Sequence, residues 1–158
     1  MTPTTVKAHV EGRIYHVDLD TGTYTVPLGV ALSYRSDDPY AVTVSFTQGT
    51  DDAHDRVDWI VDRALLCRGL ETSTSSTDIV PGHPAPDVRV STHGLACGDW
   101  TVITVESPTG RADIGLPTYE LIDFMADTEK VIAPCSESEH LGALHNKIDR
   151  LLRQGTGR

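Results

Sequence analysis

Apolar and polar residues alternate along the first half of the chain. Val26, Leu28, Val30, Leu32 and Tyr34 occupy even positions, with Pro27, Gly29, Ala31 and Ser33 between them. A period of two sends successive side chains to opposite faces, so this pattern predicts a strand with one buried face. Ser36-Asp37-Asp38-Pro39 is a turn cluster, after which Tyr40, Val42, Val44 and Phe46 resume the even pattern against Thr43, Ser45 and Thr47. The two runs read as an antiparallel pair with one face partly wet. A polar loop is expected from Gln48 to Asp55, and Val57, Trp59 and Val61 predict a third strand. Asp62 to Gly69 changes character: Arg63, Ala64, Leu65 and Leu66 are helix formers, and Gly69 is a natural stop. Before all of these, Val6 to Leu19 reads as a strand interrupted at Gly12.

Glu71 to Pro86 breaks the pattern. A Thr/Ser run over 72–77 followed by Pro81, Gly82, Pro84 and Pro86 is unable to hold a ladder, and its length predicts a mobile surface loop joining two halves. The second half then repeats the scheme. Asp87-Val88-Arg89-Val90 is a short strand, and Trp100 to Glu106 is a second. Ser107-Pro108-Thr109-Gly110 is a turn in which Gly110 is available for a positive φ, and Ala112, Ile114 and Leu116 alternate on the return strand. Pro117 opens a helix from Thr118 to about Asp127, carrying Leu121, Ile122, Phe124 and Met125. Each half therefore reads strand, strand, strand, helix, a repeat of pattern without sequence identity. A last helix begins at the Ser136/Glu139 capping box. It carries Leu141, Leu144, Ile148, Leu151 and Leu152 in helical steps, places Lys147, Arg150 and Arg153 near the negative end of its dipole, and ends at Gly155.

The chain has 158 residues, one domain's worth, and is 39% hydrophobic. Charge changes the picture more than size does: 13 basic and 23 acidic residues leave −10. Binding to a phosphate backbone needs a positive field, and so does binding to an anionic membrane surface, so both are disfavoured. No run approaches the ~18 apolar residues of a membrane span. The stretch from Met1 to Val10 lacks the apolar segment of a secretion signal. Cys67, Cys97 and Cys135 are odd in number and far apart, which is no disulfide framework and suits a reduced, cytoplasmic chain.

Motifs for chemistry are absent. There is no Gly-x-Ser-x-Gly elbow, no His-Glu-x-x-His and no Walker loop. His140 and His145 are five apart and share no helix face, so solvated helix residues fit them better than zinc ligands. Cys67 reads as a small core residue. The acidic run from Asp51 to Asp58 lacks the spacing and distal Glu of a calcium loop and reads as a solvated hairpin. No metal, cofactor or catalytic set is expected. Trp59 and Arg63 leave two readings open. The Arg63 guanidinium is placed to stack on aromatic surface or pair with a carboxylate: the two residues are a core Trp with a structural ion pair, or they are an anchor for a partner, since Trp and Arg are enriched in binding hot spots.

Taken together, several blocks resemble the SsgA-like proteins of actinobacteria. Leu32-Ser33-Tyr34-Arg35 through Asp38-Pro39-Tyr40-Ala41 is similar to that family's Leu-x-Tyr…Asp-Pro-Tyr-Ala block. Trp59 with Arg63-Ala64-Leu65-Leu66 and Gly69-Leu70 resembles its Trp…Arg-x-Leu-Leu-x-x-Gly-Leu block. Asp87-Val88-Arg89-Val90 resembles its short strand, and Ser107-Pro108 with Gly110-Arg111-Ala112 and Pro117 its Ser-Pro-x-Gly-x-Ala…Pro block. Leu121, Phe124, Met125 and Thr128 fall where the family has Leu-x-x-Phe-Leu-x-x-Thr.

The resemblance implies an α+β fold of two antiparallel sheets with helices, similar to the Whirly and guide-RNA-binding proteins, assembled as a homo-oligomer such as a trimer. It implies a single SsgA-like domain over 24–154; residues 1–23 match none of the family's blocks and read as an extension joining the sheet, while 71–86 and 155–158 read as a mobile loop and a flexible tail. The implied function is a non-enzymatic adaptor of sporulation-specific cell division. It would position or recruit the division GTPase FtsZ, or a sister SsgA-like protein, at septa in the cytoplasm. Tyr34, Asp38, Pro39, Tyr40, Trp59, Arg63, Leu66, Gly69, Gly110 and Phe124 are the structural or interaction residues that this resemblance singles out. The alternative is a single-stranded nucleic-acid binder, which would need a basic groove with stacking aromatics. The chain offers nine aromatics (Tyr 5, Trp 2, Phe 2), and its basic residues cluster in Lys147 to Arg158.

Overall fold

The computed structural model describes residues 2–20, 22–48, 56–71, 88–95, 98–134 and 136. Seven strands and two helices follow in the order β1 (Thr5–Asp18), β2 (Gly22–Arg35), β3 (Asp38–Thr47), β4 (Arg56–Asp62), α1 (Arg63–Glu71), β5 (Val88–Leu95), β6 (Gly98–Ser107), β7 (Gly110–Pro117) and α2 (Thr118–Val131). Every strand lies in a single curled antiparallel sheet, in the order β4-β3-β2-β1-β7-β6-β5. Two sheets were expected. The halves are instead joined where β1 pairs with β7 over three residues, Arg13 to Tyr15 against Gly115 to Asp113. So short a seam lets the two halves twist away from each other while remaining one ladder.

The long β1–β2 hairpin pairs Thr5 with Arg35 at one end and Asp18 with Gly22 at the other. Gly22 sits at φ 86, a left-handed value that glycine adopts without the usual Cβ penalty. The expected interruption of β1 at Gly12 is not observed. Gly12 lies inside the ladder because a Cβ there would come within 2.9 Å of the Gly115 carbonyl and 3.0 Å of Val30. The glycine marks a close approach rather than a break. Gly110, by contrast, is not needed for a positive φ, and a Cβ on it would meet nothing within 4 Å.

Alternation decides which face is covered. Val30 pairs with Phe46, Leu32 with Val44 and Tyr34 with Val42, while Ile114 pairs with both Ile14 and Ile103. These side chains form one core with Leu66 of α1 and with Leu121, Phe124 and Met125 of α2. Both helices thus cover one face of the sheet, and the other face is open. Asp62 is not the first helical residue as expected. It caps α1, its carboxylate accepting the Ala64 N–H at 2.8 Å. Gly69 of α1 is pressed onto β5, where a Cβ would overlap Val90. A chain of hydroxyls ties these pieces together: Thr92 Oγ1 donates to the Gly69 carbonyl at 2.8 Å and lies 3.1 Å from Thr101 Oγ1, which is 2.9 Å from Thr118 Oγ1 at the start of α2.

α1 runs past Gly69, the expected stop, and takes in Glu71, the first residue of the loop expected over 71–86. Residues 72–86, Asp51 to Asp55 of the acidic run, the C-terminal helix beyond Ser136 and the tail at 155–158 lie outside the described residues. So do Cys97, Cys135, His54, His83, His140 and His145. Cys67 is half-buried against the core.

Candidate protein-interaction surface

The residues singled out from the sequence divide into three groups. The first is a buried clamp. Arg63 is 2% exposed at the start of α1. Its Nε donates to Thr128 Oγ1 at 3.2 Å, its Nη2 donates to the Ile132 carbonyl at 2.7 Å, and its guanidinium lies 5.0 Å from the Tyr34 ring centroid. Thr128 and Ile132 are the last turn of α2 and its C-cap, where a positive charge meets the negative end of the helix dipole. One cation thereby ties α1 to α2 across the ring of β2. Leu66, Gly69 and Phe124 are buried as well. Arg63 lies over an aromatic ring and ties helix to helix.

The second group sits at the β2–β3 corner. The register shifts between Tyr34–Val42 and Arg35–Asp38, which leaves Pro39, Tyr40 and Ala41 in a bulge. Pro39 is buried there, at one of the few sheet positions that tolerate a missing N–H, and Tyr40 is 39% exposed. Arg35 clasps Asp37 in two hydrogen bonds of 2.9 and 2.6 Å. That pairing holds the Asp37 carboxyl below its ordinary pKa and raises the Arg35 guanidinium above its own. Asp38 is exposed beside them.

The third group is Trp59 and Gly110. Trp59 is half-buried on β4 opposite Val44 and packs against the core. Gly110 is exposed in the β6–β7 turn. The second and third groups do not come together with the clamp into one site.

A different set of residues does converge, on the open face across the β1–β7–β6 seam. The Arg13 guanidinium lies 4.2 Å from the Trp100 ring centroid. Gly115 stands between their strands, paired with Arg13 on one side and with Val102 on the other. Its missing side chain leaves room for Tyr15, whose ring would lie 2.8 Å from a Cβ built there. Tyr15 thus leans over the glycine, and the Arg13–Trp100 pair lies on the same face. Beside them Trp100 pairs with Pro117, and the next residues open α2. The result is a cleft of about 760 Å³ walled by Trp100, Pro117 and Tyr119 on one side and by Pro27 and Glu11 on the other. Tyr119 is 65% exposed. Its hydroxyl donates to Glu120 Oε1 at 2.8 Å, and that hydrogen bond to a carboxylate, with the carboxylate's charge, pushes the phenol pKa up. A second cleft of about 380 Å³ adjoins it, lined by Tyr15, Trp100, Val102 and Arg111.

Trp100, Arg13, Tyr15, Tyr119 and Gly115 were not among the residues expected to matter. The available signal was phase. Thr101, Ile103 and Val105 point to the core, so Trp100 and Val102 must point away from it. The other arginines described on this face are paired with carboxylates, Arg111 with Asp113 at 3.1 Å, Arg89 with Glu106 at 3.7 Å, Arg56 with Asp58 at 2.7 Å and Arg35 with Asp37 at 2.6 Å. Among the described residues no group of three or more His, Cys, Asp and Glu could hold a metal ion. No helix among them is long and apolar enough to cross a membrane.

Fold and surface together define a curled-sheet α+β protein with an open aromatic cleft. The model of the family described as Streptomyces sporulation and cell division protein, SsgA, matches residues 28–137, and the chain belongs to that family. The sporulation-specific cell division protein SsgB of Streptomyces coelicolor is 31% identical over 130 residues, covering 82% of this chain and 85% of that protein. A sporulation-specific cell division protein of Frankia casuarinae is 31% identical over 150 residues, 92% of each chain. The crystal structure of an SsgA-like protein from Thermobifida fusca superposes with a TM-score of 0.74 at 25% identity, covering 95% of this chain and 98% of the other. A structure from work correlating mutations in SsgB with longitudinal cell division during sporulation of S. coelicolor gives 0.72 at 28%, with 89% of this chain and 98% of the other covered.

Proposed function

We propose that this protein is a non-enzymatic adaptor of sporulation-specific cell division, acting through protein contacts at the septum. The observation that carries the reading is the family match across the sheet and both helices, whose relatives are named as sporulation-specific cell division proteins. Two features support it. The most elaborate polar constellation, around Arg63, is buried and ties the fold together. The open face offers an aromatic cleft of the residue types that anchor protein interfaces. Residues 24–154 act as one domain, with the 1–23 stretch as part of its sheet, and the working form is a homo-oligomer. The partner is FtsZ or a sister SsgA-like protein, met in the cytoplasm at division septa.

Tagged protein should form foci or ladders at septa of sporulating hyphae and should retain FtsZ or an SsgA-like protein in a pull-down. Diffuse signal with no division partner refutes the adaptor reading. Single-strand binding, the rival function for a Whirly-like fold, is opposed by the charge of −10 and by the carboxylates on Arg89 and Arg111.

A further inference from the structure

We propose that the Trp100 cleft is a recognition groove for a polyproline II segment flanked by a basic residue. The proposal rests on the adaptor reading and names the chemistry of the partner segment.

The lining of the cleft favours one mode of peptide capture over the others. Strand addition needs an open backbone edge, whereas Arg13 and Trp100 under the cleft are each already paired on both sides, Arg13 with Pro27 and Gly115 and Trp100 with His93 and Pro117. A docked helix needs a broad apolar groove, whereas this wall is two aromatic rings, two prolines and carboxylates. Aromatic-lined slots are the sites that proline-rich segments fill, because a preformed polyproline II helix packs its rings against flat side chains at small entropic cost. Trp100 and Tyr119 supply the two ridges, with Pro117 between them in sequence and Pro27 on the facing wall.

Hydrogen bonding fits as well. A polyproline II segment makes no internal hydrogen bonds, so its carbonyls look outward for donors. Arg13 is exposed, and stacking on Trp100 at 4.2 Å fixes its plane while leaving the N–H edges for such carbonyls. Charge then selects the flanking residue. Glu11 and Glu120 line the rim, Asp123 stands one turn further along α2, and the whole chain carries −10. These favour Lys or Arg beside the prolines and disfavour an acidic segment.

The test is fluorescence anisotropy with the full chain and a fluorescein-labelled oligoproline bearing an arginine at each end. Saturable binding is expected. Tyr119→Ala and Trp100→Ala should each weaken it about tenfold, the loss of one stacking anchor. Glu11→Lys should weaken it and flatten its response to salt. An otherwise identical probe ended in glutamates should bind more weakly. Tyr119 is exposed, so its removal leaves the core intact and keeps the test valid if Trp100→Ala fails to fold. Absence of saturable binding overturns the proposal, as does binding indifferent to Tyr119→Ala. So does a preference for the glutamate-ended probe, or tighter, salt-sensitive binding of an oligothymidylate. A negative result here with FtsZ still retained in the pull-down would place the adaptor contact elsewhere on the surface, whereas loss of both refutes the function itself.

Discussion

Replacing Arg63 with alanine should destabilise the protein more than almost any other polar substitution. The side chain is 2% exposed and makes two hydrogen bonds to the end of α2, at 3.2 and 2.7 Å, besides lying over the Tyr34 ring. A hydrogen bond to a charged group contributes about 1.5–3 kcal/mol, and a desolvated cation–π contact about 2 kcal/mol. Their gross sum is reduced by the cost of burying the guanidinium. Against that reduction, truncation strands the Ile132 carbonyl, since Thr128 Oγ1 retains its bond to the Met125 carbonyl at 2.7 Å while Ile132 loses its guanidinium donor. The net expectation is roughly 3–5 kcal/mol, in line with removing one member of a buried charged network. For a chain of this length that is a fall in Tm of roughly 6–20 °C. Thermal unfolding followed by circular dichroism and by calorimetry measures it. Arg63→Lys should recover only part of the loss, because an ammonium lacks both the planar fork and the stacking face. If Arg63→Ala shifts Tm by no more than a degree or two, the clamp is not a stabilising element and the reasoning fails.

Other perturbations follow from named contacts. Gly69→Ala puts a methyl onto Val90, where the built Cβ overlaps Cγ1, and should cost about 1–3 kcal/mol in denaturant unfolding as α1 lifts from β5. Gly115→Ala drives a methyl into the Tyr15 ring and should cost a similar amount while changing the near-ultraviolet circular dichroism of the Tyr15–Trp100 surface. Phe124→Ala, at 2% exposure, should cost about 3–5 kcal/mol by the same unfolding assay. Asp58 should titrate below the ordinary carboxylate value near 3.9, because Arg56 hydrogen-bonds it at 2.7 Å. Its contribution is therefore present above the unfolded pKa and lost as pH falls through the folded one, and carboxyl NMR of wild type and Arg56→Ala should show the midpoint rise when the partner is removed.

The alternating pattern was legible wherever a strand has one covered face. β2, β3, β4, β6 and β7 all contain the runs read from the sequence, and both helices begin within a residue of the expected start. What failed was information held in distant partners. Gly12 reads as a break because glycine weakens a strand by itself, and only the approach of Gly115 and Val30 shows why it belongs there. A single sheet instead of two depends on β1 meeting β7, some hundred residues away, through three pairs. No local pattern records such a seam. The role of Arg63 was half visible: its residue type and place announced a buried or stacked cation, but Thr128 and Ile132 are nearly seventy residues on.

The cleft escaped for a different reason, and that reason bears on function. Covered-face positions are held to apolar residues by burial, so they advertise themselves by period. Open-face positions answer to solvent, where almost any residue is tolerated, and an aromatic there carries no periodic signal. Among the residues selected by the resemblance to SsgA-like proteins, Tyr34, Arg63, Leu66, Gly69 and Phe124 are buried in the fold. Trp100, Arg13 and Tyr119 bear no comparable structural burden: Arg13 and Tyr119 are exposed and Trp100 is half-buried. Large aromatic surface held half in water costs solvation and returns little to stability. A protein whose charge of −10 repels other acidic surfaces has all the more need of such contacts, since apolar stacking and a few placed carboxylates can select a basic, proline-bearing segment where overall attraction would not.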